Sequence, residues 1–171
     1  MRHFDGVEWK YRIVKVVWIS LIVAFAYYIS RNWYQISLIR GDSMSPSYHN
    51  MQFVMLDRHT RDYSYGDVIT FQCENLNTVL VKRIVACPED QVVIKNGILY
   101  VNDAVSVVFP EKFIFTYAGV AKEYVNLEEN QYFVIGDNLE KSKDSRYAEV
   151  GIVYGDDILG RILPWKSVCS L

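Results

Sequence analysis

Residues 78–90 read TVLVKRIVACPED, and this stretch decides the fold. Val79, Leu80, Val81, Ile84 and Val85 suit a pleated, half-buried surface, and Pro88 with Asp90 closes the run as a turn. In strict alternation Lys82 shares a sheet face with Leu80 and Ile84, while Arg83 points the other way. Downstream, QVVIKNGILYVND at 91–103 sets Asn96-Gly97 between alternating apolar residues, the strongest short-range hairpin signal. QFVMLDR (52–58), DVITFQC (67–73) and QYFVIGD (131–137) repeat the β pattern with turn residues between them. The chain beyond residue 50 is therefore expected to be mainly β. A helical turn is expected near 147–150, and 104–130, with Pro110 and Gly119, reads as an excursion from the sheet.

Composition narrows the classes. The 171 residues are 51% hydrophobic and 15% aromatic, which suits one domain with a core and one membrane segment. A net charge of −2 with both signs interspersed lacks the basic footprint that phosphate neutralisation requires, so no nucleic acid partner is expected. Cys73, Cys87 and Cys169 form no CxxC pair and have no histidine at metal-ligand spacing, so neither a zinc site nor any other metal is expected. Cys73 and Cys87 could pair only if oxidised and in contact; otherwise they are small buried hydrophobes. His3, His49 and His59 read as surface or turn residues.

Working back toward the N-terminus, residues 13–30, IVKVVWISLIVAFAYYIS, hold one charge, Lys15, between Arg12 and Arg31. As a helix they span about 27 Å, just short of a hydrocarbon core of roughly 30 Å. Snorkelling of Lys15, Arg12 and Arg31 closes the gap, with Trp9, Tyr11, Trp33 and Tyr34 spaced as interfacial anchors. A buried core helix would carry a polar face, which this segment lacks. A cleavable leader would end near Ala24-Phe25-Ala26, yet the apolar run continues through Tyr27, Tyr28 and Ile29, so a retained anchor is expected. Arg2, Lys10, Arg12 and Lys15 on the near side put the N-terminus in the cytoplasm. The expected division is a cytoplasmic N-terminus at 1–12, a transmembrane helix at 13–30 and an extracytoplasmic domain at 31–171.

Just past this segment comes GDSMSPSYHN, 41–50, where Ser43 is a turn residue or a nucleophile; the stretch alone decides neither. A serine hydroxyl needs a base, and a neutral lysine serves where histidine is absent. Lys82 is placed for that work, because burial disfavours the ammonium and lowers its pKa. On its own segment the lysine reads first as one that snorkels at a sheet edge. The loop GDNLEKSKDSR, 136–146, offers a hydroxyl at Ser142 to orient an amine, and Asp144 with Arg146 to lock the loop by bidentate pairing.

Taken together, GDSMSP, VLVKRIVACPED and GDNLEKSKDSR, in this order behind one membrane segment and with YGDVITF at 65–71, resemble the motif boxes of the bacterial type I signal peptidases. The resemblance implies a mainly β fold: an N-terminal single transmembrane helix followed by an antiparallel β-sheet catalytic domain of the signal peptidase type. It implies that Ser43 is the nucleophile, Lys82 the general base and Ser142 the hydroxyl positioning the lysine, with Asp144 and Arg146 locking the loop and Asp137 and Asn138 supporting it. The backbone N–H of Ser43 is implied as an oxyanion donor. Gly41 stands where some relatives carry a second donor hydroxyl, leaving backbone or water for that task. Ile39, Met44, Tyr48, Val54, Leu80 and Val81 are implied as the walls of the substrate pockets. Preprotein signal peptides with small residues before the cut are the implied substrates and the lipid bilayer a partner; no cofactor is expected, and the plasma membrane is the expected location. Ser47 after Pro46, ACPED after the lysine and Leu139-Glu140-Lys141 depart from the usual pattern without removing a chemical group. A lysine base argues against the eukaryotic reticulum type. The rivals are a mitochondrial inner-membrane peptidase, a silent membrane-anchored binding module, and a self-cleaving regulator, which would want a DNA-binding domain in place of the membrane helix.

Overall fold

The computed structural model describes residues 6–164. It opens on a 28-residue helix, α1 (Gly6–Trp33), about 42 Å long. Its stretch Trp9–Tyr28 is long and apolar enough to cross a bilayer, and none of it is buried against the rest of the protein. The helix exceeds the expected 13–30 at both ends because neither proline nor glycine interrupts 7–33. It passes without a linker into β1 (Tyr34–Leu38).

Beyond it the regular elements are mainly strands, as the alternating runs require. β2 (Phe53–Asp57), β3 (Val68–Cys73), β4 (Thr78–Ala86), β5 (Gln91–Lys95), β6 (Ile98–Val101), β7 (Ala104–Val105), β8 (Val125–Asn126), β9 (Gln131–Ile135), β10 (Val153–Tyr154) and β11 (Ile158–Ile162) follow in turn. They form a seven-stranded sheet, order β1-β2-β11-β3-β4-β9-β10, and a four-stranded sheet, order β7-β6-β5-β8. Every ladder is antiparallel. The Asn96-Gly97 turn joins β5 to β6, both residues having positive φ (53° and 78°) as a type I′ hairpin demands. The excursion 104–130 proves to supply β7 and β8 to the smaller sheet and a 3₁₀ turn at Gly119–Lys122. Near 147–150 there is a turn, closed by Val150 N–H donating to Tyr147 O at 3.0 Å.

Three apolar clusters hold these layers. Val85, Val92, Leu99, Phe109, Phe115 and Phe133 pack around the smaller sheet. Ile69, Phe71, Ile84, Val134 and Ile158 fill the centre of the larger one. Ile39, Met44, Val54, Leu56, Val68 and Ile162 pack beneath the segment that carries Ser43. Cys73 is buried in the second cluster and Cys87 packs against it, both as free thiols. Cys169 lies outside the described residues. His59 stacks on Trp33, ring centroids 4.8 Å apart, where helix meets sheet.

Candidate active site

β4 delivers Lys82 by simple alternation. Its neighbours on that face are Leu80, which packs on the central cluster, and the fully buried Ile84. Lys82 is itself only 2% exposed. Its Nζ lies 2.9 Å from Ser43 Oγ and 3.0 Å from Val81 O. Burial pushes the lysine down to about 8, against the opposing pull of the Asp144 and Asp137 carboxylates. The Arg146 guanidinium pushes in the same direction as burial.

Ser43 rides on the turn after β1. Met44, 1% exposed, anchors that turn in the third cluster. Tyr48 N–H donates to Met44 O at 2.9 Å, and Gly41, at φ 89°, gives its N–H to Asn50 Oδ1 at 2.9 Å. Gly41 N–H is thus committed, and no described residue accepts from Ser43 N–H. Of the two expected oxyanion positions, Ser43 is therefore the one with a free donor.

The loop after β9 grips the Ser43 turn from the other side. Asn138 N–H donates to Ser43 O at 3.0 Å, and Asn138 O accepts from Ser142 N–H at 2.9 Å. Asp144 and Arg146 are sealed inside this loop, their side chains 0% and 1% exposed. The pairing is bidentate: Arg146 Nε donates to Asp144 Oδ1 at 2.8 Å and Nη2 to Oδ2 at 2.9 Å. Gly136 N–H also donates to Asp144 Oδ2, at 3.0 Å, and Arg146 Nη2 donates to Leu139 O, at 3.0 Å. The spare acceptor and donor sites of a buried ion pair are thereby used on backbone, which a stable buried pair requires.

Ser142 is 2% exposed, and its Oγ is the one buried side-chain polar atom without a hydrogen-bond partner among the described residues. It touches the ground of Gly136: a Cβ there would overlap Ser142 Oγ and lie 2.6 Å from Ser43 O. Gly136 is therefore a residue the sequence reading passed over. A glycine at a strand end looks like any turn former, and only the approach of 43 and 142 from distant positions reveals its role. Arg83 was also passed over as a partner. Pointing away from Lys82 as alternation requires, it pairs with Asp137, its Nε donating to Oδ1 at 2.7 Å, and its Nη1 donates to Gly66 O at 2.7 Å. That pair ties the loop after β9 to YGDVITF.

A cleft of about 540 Å³ opens beside the serine, between β1 and β4. Ile39, Met44, Leu80 and Val81 line it together with Ser43 and Lys82. Val54 is buried beneath it in the third cluster, and Tyr48 packs against that cluster within the fields of Arg83 and Asp137. A buried amine whose pKa is lowered to about 8, a hydroxyl beside it, a free N–H and an adjoining apolar cleft can together carry out acyl transfer through the serine.

Comparisons with known proteins place the chain in a family. The family model for signal peptidase, peptidase S26, matches residues 11–165. Signal peptidase I U of Bacillus subtilis (strain 168) is 30% identical over 163 residues, covering 88% of this chain and 85% of its own. Signal peptidase I S of the same strain is 30% identical over 156 residues, 81% of this chain and 77% of its own. A solved signal peptidase I from Enterococcus faecalis V583 superposes on 60% of this chain and 97% of its own, with 24% identity and a TM-score of 0.48. With the family match running over nearly the whole length, the chain belongs to the signal peptidase family, peptidase S26, and is a serine peptidase.

Proposed function

We propose that this protein is a single-pass membrane endopeptidase that removes N-terminal signal peptides from exported preproteins by a Ser43/Lys82 dyad. The observation that carries the reading is the 2.9 Å contact between Lys82 Nζ and Ser43 Oγ. Neutral Lys82 takes the hydroxyl proton as Ser43 Oγ attacks the scissile carbonyl, and the oxyanion forms against Ser43 N–H. Lys82 then delivers that proton to the leaving amine. The acyl-enzyme is hydrolysed by a water that Lys82 deprotonates, and the serine is regenerated. Ser142, buried with unused hydrogen-bonding capacity, positions the lysine amine. Asp144, Arg146, Asp137 and Asn138 hold the loop that carries it.

The substrate lies extended in the cleft, so residues one and three before the cut face the enzyme. Ile39, Met44, Leu80 and Val81 leave room for alanine-sized groups and reject charge through desolvation. Trp9–Tyr28 serves as the anchor, the residues before 13 lie in the cytoplasm, and the domain from 31 onward works on the outer face of the plasma membrane. To test this, the detergent-solubilised protein and its Ser43→Ala variant are incubated with a preprotein and the product is sequenced. A new N-terminus two residues past an Ala-x-Ala alanine, or none from the parent protein, sinks the proposal; cleavage directly after Ala-x-Ala, absent in the variant, is the expected result.

A further inference from the structure

The cleft beside Ser43 is longer than two alanine pockets need. Beyond Leu80 it runs along β1 to Gln35 and Arg58, at the end where β1 leaves the membrane helix. Gln35 and Ser37 of β1 and Ile39 just past its end fall on one face by alternation, and the pairing of Gln35 with Leu56 puts Arg58 on the same face of the neighbouring strand's continuation. Arg58 Nη1 donates to Gln35 Oε1 at 3.3 Å, and its backbone N–H donates to Trp33 O at 2.9 Å. The guanidinium is exposed and has no carboxylate partner among the described residues. The adjacent Asp57 lies on the opposite face, where Thr60 and Arg161 occupy its carboxylate. The cleft lining includes Arg40, Arg58 and Lys82 but no acidic side chain.

We infer that Arg58, held by Gln35, is a specificity residue for the substrate side chain five positions before the cut, favouring an acidic or amide group there and disfavouring a basic one. The inference rests on the proposed signal-peptide reading and deepens it. β1 and β4 both run toward the dyad, so an upstream substrate segment entering between them runs the same way, one residue per strand residue. From Ile39 back to Gln35 is four steps of about 3.3 Å. A substrate whose final residue sits by Ile39 therefore sets its fifth residue by Gln35, and alternation turns residues one, three and five toward the enzyme. This end adjoins the end of α1, where the apolar part of a signal peptide would leave the bilayer and its polar part begin.

The test uses the full chain in neutral detergent at low salt, with peptides that carry Ala one and three before the cut and differ only five before it: Asp, Gln or Lys. The expected kcat/KM order is Asp, then Gln, then Lys, with Asp over Lys by about fivefold or more, as a partly exposed charge pair allows. Arg58→Glu should invert the Asp-to-Lys ratio. Arg61→Glu, the same charge change outside the cleft lining, should leave that ratio as it was. A flat series in the parent protein, a ratio unmoved by Arg58→Glu, or one moved equally by Arg61→Glu overturns the inference. Uniform weakening of all three peptides by Arg58→Glu also overturns it, pointing to bilayer contact or folding instead. If none of the peptides is cut by the parent protein, the failure lies in the underlying reading, and the subsite falls with it.

Discussion

Lys82 Nζ and Ser43 Oγ meet at 2.9 Å across 39 positions of sequence. Lys82 arrives on the buried face of a central strand, whereas Ser43 is held by Met44 packed beneath it and Asn138 N–H on its carbonyl.

Replacement of either member should therefore remove the reaction and leave the sheet. Lys82→Met and Lys82→Arg should each lower kcat by about 100-fold or more, the scale of a lost general base. The arginine fails because its guanidinium does not deprotonate. A Ser43→Ala/Lys82→Met double variant should be no worse than the weaker single variant, since the two act as a unit. Circular dichroism alongside peptide cleavage checks both halves.

The pH profile follows from the burial of Lys82. With its pKa lowered to about 8, activity should rise through a limb near pH 8, as the neutral base forms. The stability sign is set by the same shift. Below pH 8 both folded and unfolded lysine are charged, and folding bears the cost of burying the charge. Between about 8 and the free value of about 10.4 the unfolded chain binds more protons, so stability rises with pH. Lys82→Met should abolish that rise in a melting series while raising the plateau at neutral pH.

Gly136 separates position from chemistry. Gly136→Ala drives a methyl into Ser142 and toward Ser43 O, so kcat should fall at least about 100-fold, the scale of a misplaced reactive group, in a protein that still folds. Ser142→Ala should slow the reaction less and shift the pH limb, because it removes the hydroxyl but leaves the gap. Parallel pH profiles of the two variants distinguish a displaced nucleophile from an unpositioned lysine.

Asp144 and Arg146 have a different character. Removing one partner leaves a buried charge alone, so Asp144→Ala should cost about 3–5 kcal/mol. Urea unfolding of the detergent-solubilised protein measures it. The surface pair Lys143–Glu149, at 3.2 Å and with both side chains about half exposed, should cost under about 1 kcal/mol when broken.

Much of this was legible because it is local. Alternation in TVLVKRIVAC turned Lys82 inward and Arg83 outward, Asn96-Gly97 forced the hairpin, and the apolar run before Ser30 became a helix. What stayed hidden depends on long-range register. The turn-rich 104–130 gave no sign that Val105 would pair with Tyr100 or Val125 with Val92, because strands of two residues have too short a pattern to read. Arg83 finds Asp137 across 54 positions, and Gly136 matters only because Ser142 folds back over it. Of the residues expected as pocket walls, Ile39, Met44, Leu80 and Val81 line the cleft, while Val54 is buried in the cluster below and Tyr48 packs against it.

The central claim, that Ser43 attacks with Lys82 as its base, is tested most directly by trapping the acyl-enzyme. The protein is mixed with a peptide ester ending in Ala-x-Ala, quenched in acid within a turnover, and digested for mass analysis. The account predicts the acyl mass on the fragment containing Ser43, absent in Ser43→Ala and nearly absent in Lys82→Met. An active preparation that carries the adduct on Ser142 or another side chain, or acylates Ser43 as fast without Lys82, would contradict it.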